Sequence, residues 1–297
     1  MSFLQLLDSK PVLLLDGAMG TQLDKHGLMG VARNNLDAPQ AVLAIHQAYS
    51  QCGCDALTTN TAILNRIYLE THNVDVSVQE VNRAGVELAD QAAVCSQYVL
   101  GNMSATGQLL EPYGTYSEAQ LHETFREQAE ILANAGADGF IIETVFDLRE
   151  AACAVRACKE VSSLPVLASI AFATETKGGR TMMGDTAEQC ATQLTEAGAD
   201  AVGANCGDLD PNQTAGVVAL LKQATDRPIL AQPNAGKPQL IEGKTVFDMS
   251  PEAFAQGIGA CIEAGARIVG GCCGTSPDHI QAVGAMIAAR RDSMSTD

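Results

Sequence analysis

Four times along this chain a helix-like run closes on a glycine, and an apolar strand-like run begins two residues later. The segments are QCGCDALTTN (51–60), NAGADGFIIE (134–143), EAGADAVGAN (196–205) and EAGARIVGG (263–271). Glycine takes up the left-handed backbone that follows a last helical turn without a Cβ penalty, so Gly53, Gly136, Gly198 and Gly265 read as helix stops. The glycines are 83, 62 and 67 residues apart, and each interval holds two βα units of ordinary size. The missing strands lie between them, at VLLLD (12–16), YVLGN (98–102), PVLASIA (165–171) and PILAQPN (228–234). The spacing therefore predicts eight strands, over 12–16, 55–60, 98–102, 138–143, 165–171, 199–205, 228–234 and 266–271.

These runs are nearly continuous Val, Ile, Leu and Ala, the composition of parallel strands covered on both faces. Amphipathic helices separate them, for example over 117–134, with Leu121, Phe125, Ala129 and Leu132 at helical spacing. Eight strands alternating with helices predict a closed (β/α)₈ TIM barrel. An open doubly wound sheet is the alternative, but no glycine-rich dinucleotide fingerprint follows the first strand. Barrels of this kind reach 297 residues as one domain, and no linker divides the chain. One domain over 1–297 is expected, with the final SMSTD disordered.

Composition narrows the function. Aromatic residues are 4% and Trp is absent, which disfavours a base-stacking surface, and a net charge of −17 disfavours nucleic acid or an anionic membrane as partner. The start, MSFLQLLDSKPVLLLDG, has no basic leader and reaches Asp16 before any apolar run is long enough to span a bilayer, so a cytoplasmic protein is expected. In that compartment ten cysteines are core residues, metal ligands or nucleophiles rather than a disulfide framework. Cys95, Cys153, Cys158, Cys190 and Cys261 sit in helix-like segments and read as small buried hydrophobes. Cys206, Cys272 and Cys273 follow strands instead.

A barrel gathers its chemistry at the C-terminal ends of its strands. Those ends are Asp16, Asn60, Asn102, Glu143, Asn205-Cys206, Asn234 and Cys272-Cys273. Adjacent residues in a regular strand point to opposite faces, so the cysteine pair reaches one ion only if the strand breaks. Gly270 and Gly271 before it and Gly274 after it supply that freedom. With Cys206, three thiolates and an open fourth position would describe a catalytic zinc site. Spacing alone leaves a second reading open, of buried thiols beside a tight turn.

The segments LDGAMGTQL (15–23), TTNT (58–61), GANCG (203–207), PNAGKP (233–238) and GGCCGTSPDHI (270–280) resemble the homocysteine S-methyltransferase family, whose fold is a (β/α)₈ barrel. The resemblance covers residues 12 to 280, and its most specific element is GGCC paired with an upstream NC. It implies that Cys206, Cys272 and Cys273 bind Zn²⁺, that Asp16 and Glu143 hold the amino group of homocysteine, and that backbone amides near Gly17 and Ala18 receive its carboxylate. Asn60 is a further candidate in the substrate pocket. Asn234 is a candidate oxygen ligand for the open metal position when no thiol is bound, or else a turn residue before Ala235-Gly236. Taken singly, Asp16 also reads as a turn residue and Glu143 as a surface carboxylate.

Thiolate chemistry makes the implied reaction reasonable, since only the thiolate attacks carbon well and coordination to zinc deprotonates a thiol. The methyl donor is the open question. A betaine enzyme needs an aromatic box for the quaternary ammonium, and this chain has no Trp and five Tyr. Branches of the family using S-methylmethionine tend to carry Arg after the cysteine pair, where this chain has Gly274-Thr275. That element, with PNAGKP and TGQLLEPYG (106–114), looks closest to the homocysteine-binding module of cobalamin-dependent methionine synthase. The resemblance then implies methylcobalamin delivered by a corrinoid protein docking over the barrel mouth. The segments NMSATG (102–107) and SIAFATETKGGRTMMGDT (169–186) follow the family loosely. A small sulfonium donor, another acceptor thiol, or a barrel that binds thiol or metal without catalysis remain as alternatives.

Overall fold

The computed structural model describes residues 2–28, 33–94, 96–241 and 243–294. Its eight barrel strands are β1 (Leu13–Leu14), β2 (Ala56–Thr58), β3 (Tyr98–Met103), β4 (Gly139–Val145), β5 (Val166–Ile170), β6 (Ala201–Asn205), β7 (Ile229–Gln232) and β8 (Ala266–Val269). Every neighbouring pair is parallel. A parallel bridge between Leu15 and Ala56 joins β1 to β2 and closes the ring. The eight outer helices are α1 (Pro39–Gln51), α2 (Val78–Ala92), α3 (Glu118–Asn134), α4 (Leu148–Val161), α5 (Ala187–Ala197), α6 (Pro211–Ala224), α7 (Pro251–Glu263) and α8 (Pro277–Met294). The (β/α)₈ expectation is met.

Local sequence explains the alternation. Gly53, Gly136, Gly198 and Gly265 all adopt positive φ, between 79° and 115°, and so turn each preceding helix into the next strand. Ser117 caps α3 in a capping box with Gln120, and Asp210 does the same for α6 with Gln213. Leu121, Phe125, Ala129 and Leu132 are fully buried on one face of α3.

The period-two alternation of the strands builds two cores. Leu13, Leu15, Ala56, Leu100, Ile141, Leu167, Ala201, Leu230 and Ile268 point into the barrel, with Phe3 of the 3₁₀ helix Phe3–Asp8 packed among them. Their outward neighbours Leu14, Leu57, Phe140, Ile142, Val166, Ala168, Val202 and Val269 meet the helices. Cys153, Cys158, Cys190 and Cys261 are buried in that helix-facing layer. Cys95 and the last three residues of SMSTD lie outside the described residues.

Several strands are shorter than the sequence suggests, and at β8 the glycines are the reason. β8 stops at Val269 rather than 271. A Cβ on Gly270 would lie 2.9 Å from the Asp16 carbonyl oxygen, and one on Gly271 would lie 2.6 Å from the Thr275 side chain. The backbone there leaves the ladder and alternates between neighbours: Gly270 N–H donates to Ala231, Gly271 N–H to Asp16 and Cys272 N–H to Pro233. Likewise β7 ends at Gln232, because Pro233 has no N–H to extend it. Among the described residues no helix is long and apolar enough to cross a membrane.

Candidate metal and ligand site

The end of β6 is bent. Asn205 closes the strand, and Cys206 follows with φ at 51°, a left-handed conformation that a residue with a Cβ adopts at a cost. Gly207 continues the turn at φ 69°, and a Cβ there would meet the Phe172 carbonyl oxygen at 2.4 Å. This turn carries the Cys206 sulfur towards the irregular segment after β8, where the lost register lets Cys272 and Cys273 face one point. The three sulfurs lie within 4.8 Å of one another, and Cys206 Sγ and Cys273 Sγ are 3.9 Å apart. Ligands at about 2.3 Å in a tetrahedral zinc shell sit about 3.8 Å apart, so the trio has the spacing of three corners of such a site.

Asn234, the other candidate, lies next to Cys206. Asn234 Nδ2 donates to the Gly207 carbonyl at 2.9 Å, which leaves Asn234 Oδ1 buried with no hydrogen-bond partner. The Asn234 side chain also bonds to Cys206, so the orphaned amide oxygen belongs to a residue next to the thiols. S–H groups of Cys272 and Cys273 donating to Cys206 pull its pKa far below the ordinary thiol range, whereas Cys272 and Cys273 are pushed up in return.

Beside the sulfurs opens a pocket of about 190 Å³, lined by Gly17 to Thr21, Thr58, Asn60, Asn102, Glu143, Gln232, Cys272 and Cys273, among others. Glu143 lines it, and a second carboxylate, Asp16, is bonded to the lining residue Thr58. Asp16 is 2% exposed and accepts from the Thr58 backbone at 2.9 Å and from the Thr58 hydroxyl at 2.9 Å. Burial raises its pKa to about 8 against the opposing pull of the Thr58 bonds, and the neighbouring Glu143 adds to the rise. Glu143 accepts from Asn102 Nδ2 at 2.7 Å, and burial lifts its pKa to about 7. Two acids desolvated together, with neutral hydrogen-bond partners in Thr58 and Asn102, make a site that favours a cationic ligand.

The remaining sequence candidates are placed less simply. The Ala18 amide donates to Thr275 Oγ1 at 2.9 Å, so it is already engaged. Gly17 lines the pocket in close quarters, because a Cβ there would fall 2.7 Å from Thr275 Oγ1 and 2.9 Å from the Tyr49 hydroxyl. Asn60 borders the pocket, but its Nδ2 donates to Asn35 Oδ1 at 2.8 Å while Asn35 Nδ2 donates back to the Asn60 carbonyl. That pairing ties the loop after β2 to the short helix Asn34–Asp37 and spends the nitrogen away from any ligand.

Thr58, Thr144 and Ser169 escaped the sequence reading, which gives Asn205 only as a strand-end residue. Thr58 holds Asp16. Asn205 Oδ1 accepts from Ser169 Oγ at 2.7 Å and from the Thr144 amide at 2.9 Å, and its Nδ2 faces the Cys272 sulfur at 3.7 Å. Thr144 itself has φ at 58°, held there by that exchange with Asn205. A signal for some of them exists: Thr58 lies two residues beyond the inward-facing Ala56, Ser169 two beyond Leu167 and Gln232 two beyond Leu230, just as the strand-end residues Asn102 and Glu143 lie two beyond Leu100 and Ile141, while Asn205 lies four beyond Ala201.

The sequence profile of the homocysteine S-methyltransferase family matches residues 13–287. Methionine synthase of Mycobacterium tuberculosis is 30% identical over 301 residues, which covers 94% of this chain and 25% of that protein. Methionine synthase of Mycobacterium leprae is 28% identical over 302 residues, with 95% and 25% covered. The chain therefore spans about a quarter of the length of these curated relatives. Among solved structures, the metallated form of the homocysteine methyltransferase MmuM from Escherichia coli superposes with a TM-score of 0.77 at 23% identity, covering 95% of this chain and 98% of that one. At that identity the likeness speaks for the barrel fold.

Proposed function

Because the chain belongs to the homocysteine S-methyltransferase family, we propose that it moves a methyl group to the thiol of homocysteine, forming methionine, with Zn²⁺ held by Cys206, Cys272 and Cys273. The observation that carries this reading is the convergence of three sulfurs, two of which, on Cys272 and Cys273, line a pocket that also presents Glu143, with Asp16 behind it. A thiol amino acid brings a cation, a carboxylate and a sulfur, and the pocket offers a counterpart for the first and the last.

The chain's own groups do most of the work by binding and orienting. Asp16 and Glu143 take the substrate ammonium, and their raised pKa values mean that its arrival drives protons off them. Thr58 and Asn102 fix the two carboxylates in place. Asn234 Oδ1 is the oxygen available to the metal before a thiol enters. When bound, zinc supplies the acidity that keeps the substrate sulfur as thiolate at neutral pH. The positioned thiolate then displaces the donor: a sulfur–carbon bond forms as the carbon–donor bond breaks, and the leaving group keeps that electron pair.

For the donor we favour methylcobalamin on a corrinoid partner. No aromatic side chain lines the pocket among the described residues, which argues against a quaternary ammonium donor. Exposed apolar residues, Leu109, Tyr113, Met182 and Leu240, sit on loops that leave the C-terminal ends of β3, β5 and β7, around the mouth where a partner would dock. The test is one assay of the zinc-loaded protein with homocysteine against methylcobalamin, S-methylmethionine and betaine in parallel. Methionine from methylcobalamin alone is the expected result. Turnover with S-methylmethionine but not methylcobalamin overturns the donor, and no methionine from any of them overturns the reaction.

A further inference from the structure

We propose that Asn102 is the third acceptor for the substrate ammonium and the residue that makes the pocket selective for an unsubstituted primary amine; this rests on the functional reading above. Asn102 is 6% exposed at the end of β3 and lines the pocket. Its backbone is fully engaged, with the N–H donating to Thr59 Oγ1 at 2.9 Å and the carbonyl accepting from Thr61 Oγ1 at 2.6 Å. Its Nδ2 donates to Glu143 Oε1 at 2.7 Å. That bond fixes the amide orientation, because the flipped form would set its oxygen against the carboxylate.

With the nitrogen committed, Asn102 Oδ1 is buried with no partner. A buried acceptor left unpaired costs free energy, and native structures keep one chiefly where a ligand completes it. The ligand expected here carries –NH₃⁺, which has three protons to place. Glu143 and Asp16 account for two of them, and an amide oxygen held beside Glu143 by the same side chain accounts for the third. The arrangement predicts discrimination by hydrogen-bond count: a site with only the two carboxylates would accept a secondary ammonium as readily as a primary one.

The experiment is titration calorimetry of homocysteine and N-methylhomocysteine into the zinc-loaded protein and its Asn102→Ala variant. In the unaltered protein, homocysteine should bind about 10- to 100-fold more tightly than N-methylhomocysteine, the size of one charge-assisted hydrogen bond. Asn102→Ala also removes the bond that steadies Glu143, so both ligands can weaken, but homocysteine should weaken by a similar factor more than N-methylhomocysteine, which erases the preference. Zinc stoichiometry and the melting temperature of the variant report that the fold is intact, and the comparison of the two ligands on the unaltered protein needs no variant. Equal weakening of both ligands by Asn102→Ala, or no preference in the unaltered protein, overturns the assignment while leaving the function standing. If the unaltered protein binds no homocysteine, the functional reading falls and this inference falls with it.

Discussion

At the scale of single residues, the site is a set of groups that the fold leaves deliberately incomplete: three thiols, two desolvated acids and a few orphaned amide oxygens. Each incompleteness has a measurable consequence. Cys206→Ser and Cys272→Ser should each abolish stoichiometric zinc, read by metal analysis after dialysis, because a hydroxyl is a poor substitute for thiolate at neutral pH. Glu143→Gln keeps the oxygen that accepts from Asn102 but loses the charge, so zinc should stay while homocysteine binding weakens about 30-fold or more. The same variant carries a pH signature. Folding raises the Glu143 pKa from 4.5 to about 7, so the folded protein holds the proton more tightly than the unfolded chain does. Stability from this group is therefore fully present below pH 4.5, declines as pH rises towards 7, and is flat above. Melting curves of the ligand-free protein should show Glu143→Gln gaining on the unaltered protein between pH 5 and 7. A constant difference across that range would contradict the assignment.

At the scale of elements, the strand ends matter more than the strands. The sequence shows each helix stop through its glycine, and Gly53, Gly136, Gly198 and Gly265 all have the positive φ expected of them. It shows far less of what happens after β6 and β8, where departure from the ladder creates the metal site. Gly274 has φ at 81°, and a Cβ on it would lie 2.3 Å from Phe247 Cβ, in the segment between the hairpin 239–246 and α7. Gly274→Ala should therefore cost about 1–3 kcal/mol in denaturant unfolding and weaken zinc, since the strain falls next to Cys273. Asn205 acts one step back, holding Thr144 and facing the Cys272 sulfur. Asn205→Leu should lower zinc affinity about 10- to 100-fold by competition with a chelator, while all three sulfurs remain.

At the scale of the whole molecule, the barrel separates stability from chemistry. The inward core of β1 to β8 fills the lower interior around Phe3, and the polar residues lie one inward step higher. Phe3→Ala should destabilise the fold by about 3–5 kcal/mol and leave the affinity for homocysteine unchanged, since the side chain packs at the end of the barrel away from the pocket. Charge also acts at this scale. With a net charge of −17, encounter with an acidic partner is disfavoured. If the proposed corrinoid partner docks on the apolar loops, Leu240→Asp should slow transfer from the protein-bound donor and leave transfer from free methylcobalamin unchanged.

By itself the sequence determined the eight βα units, the helix stops and the three cysteines, because these depend on local periodicity and on residue types with narrow uses. It also showed Asp16 and Glu143 as strand-end acids, with their amino-acid role coming only from the family resemblance. Tertiary structure decided the rest. Asn60 and Ala18 sit at strand ends like the others, yet Asn35 and Thr275, distant in the chain, occupy their polar groups. Asn102 and Asn234 look no different in sequence, yet their oxygens are left without partners. Which polar group is spent on the fold and which is kept for a ligand depends on neighbours brought from other strands, and no local pattern records that.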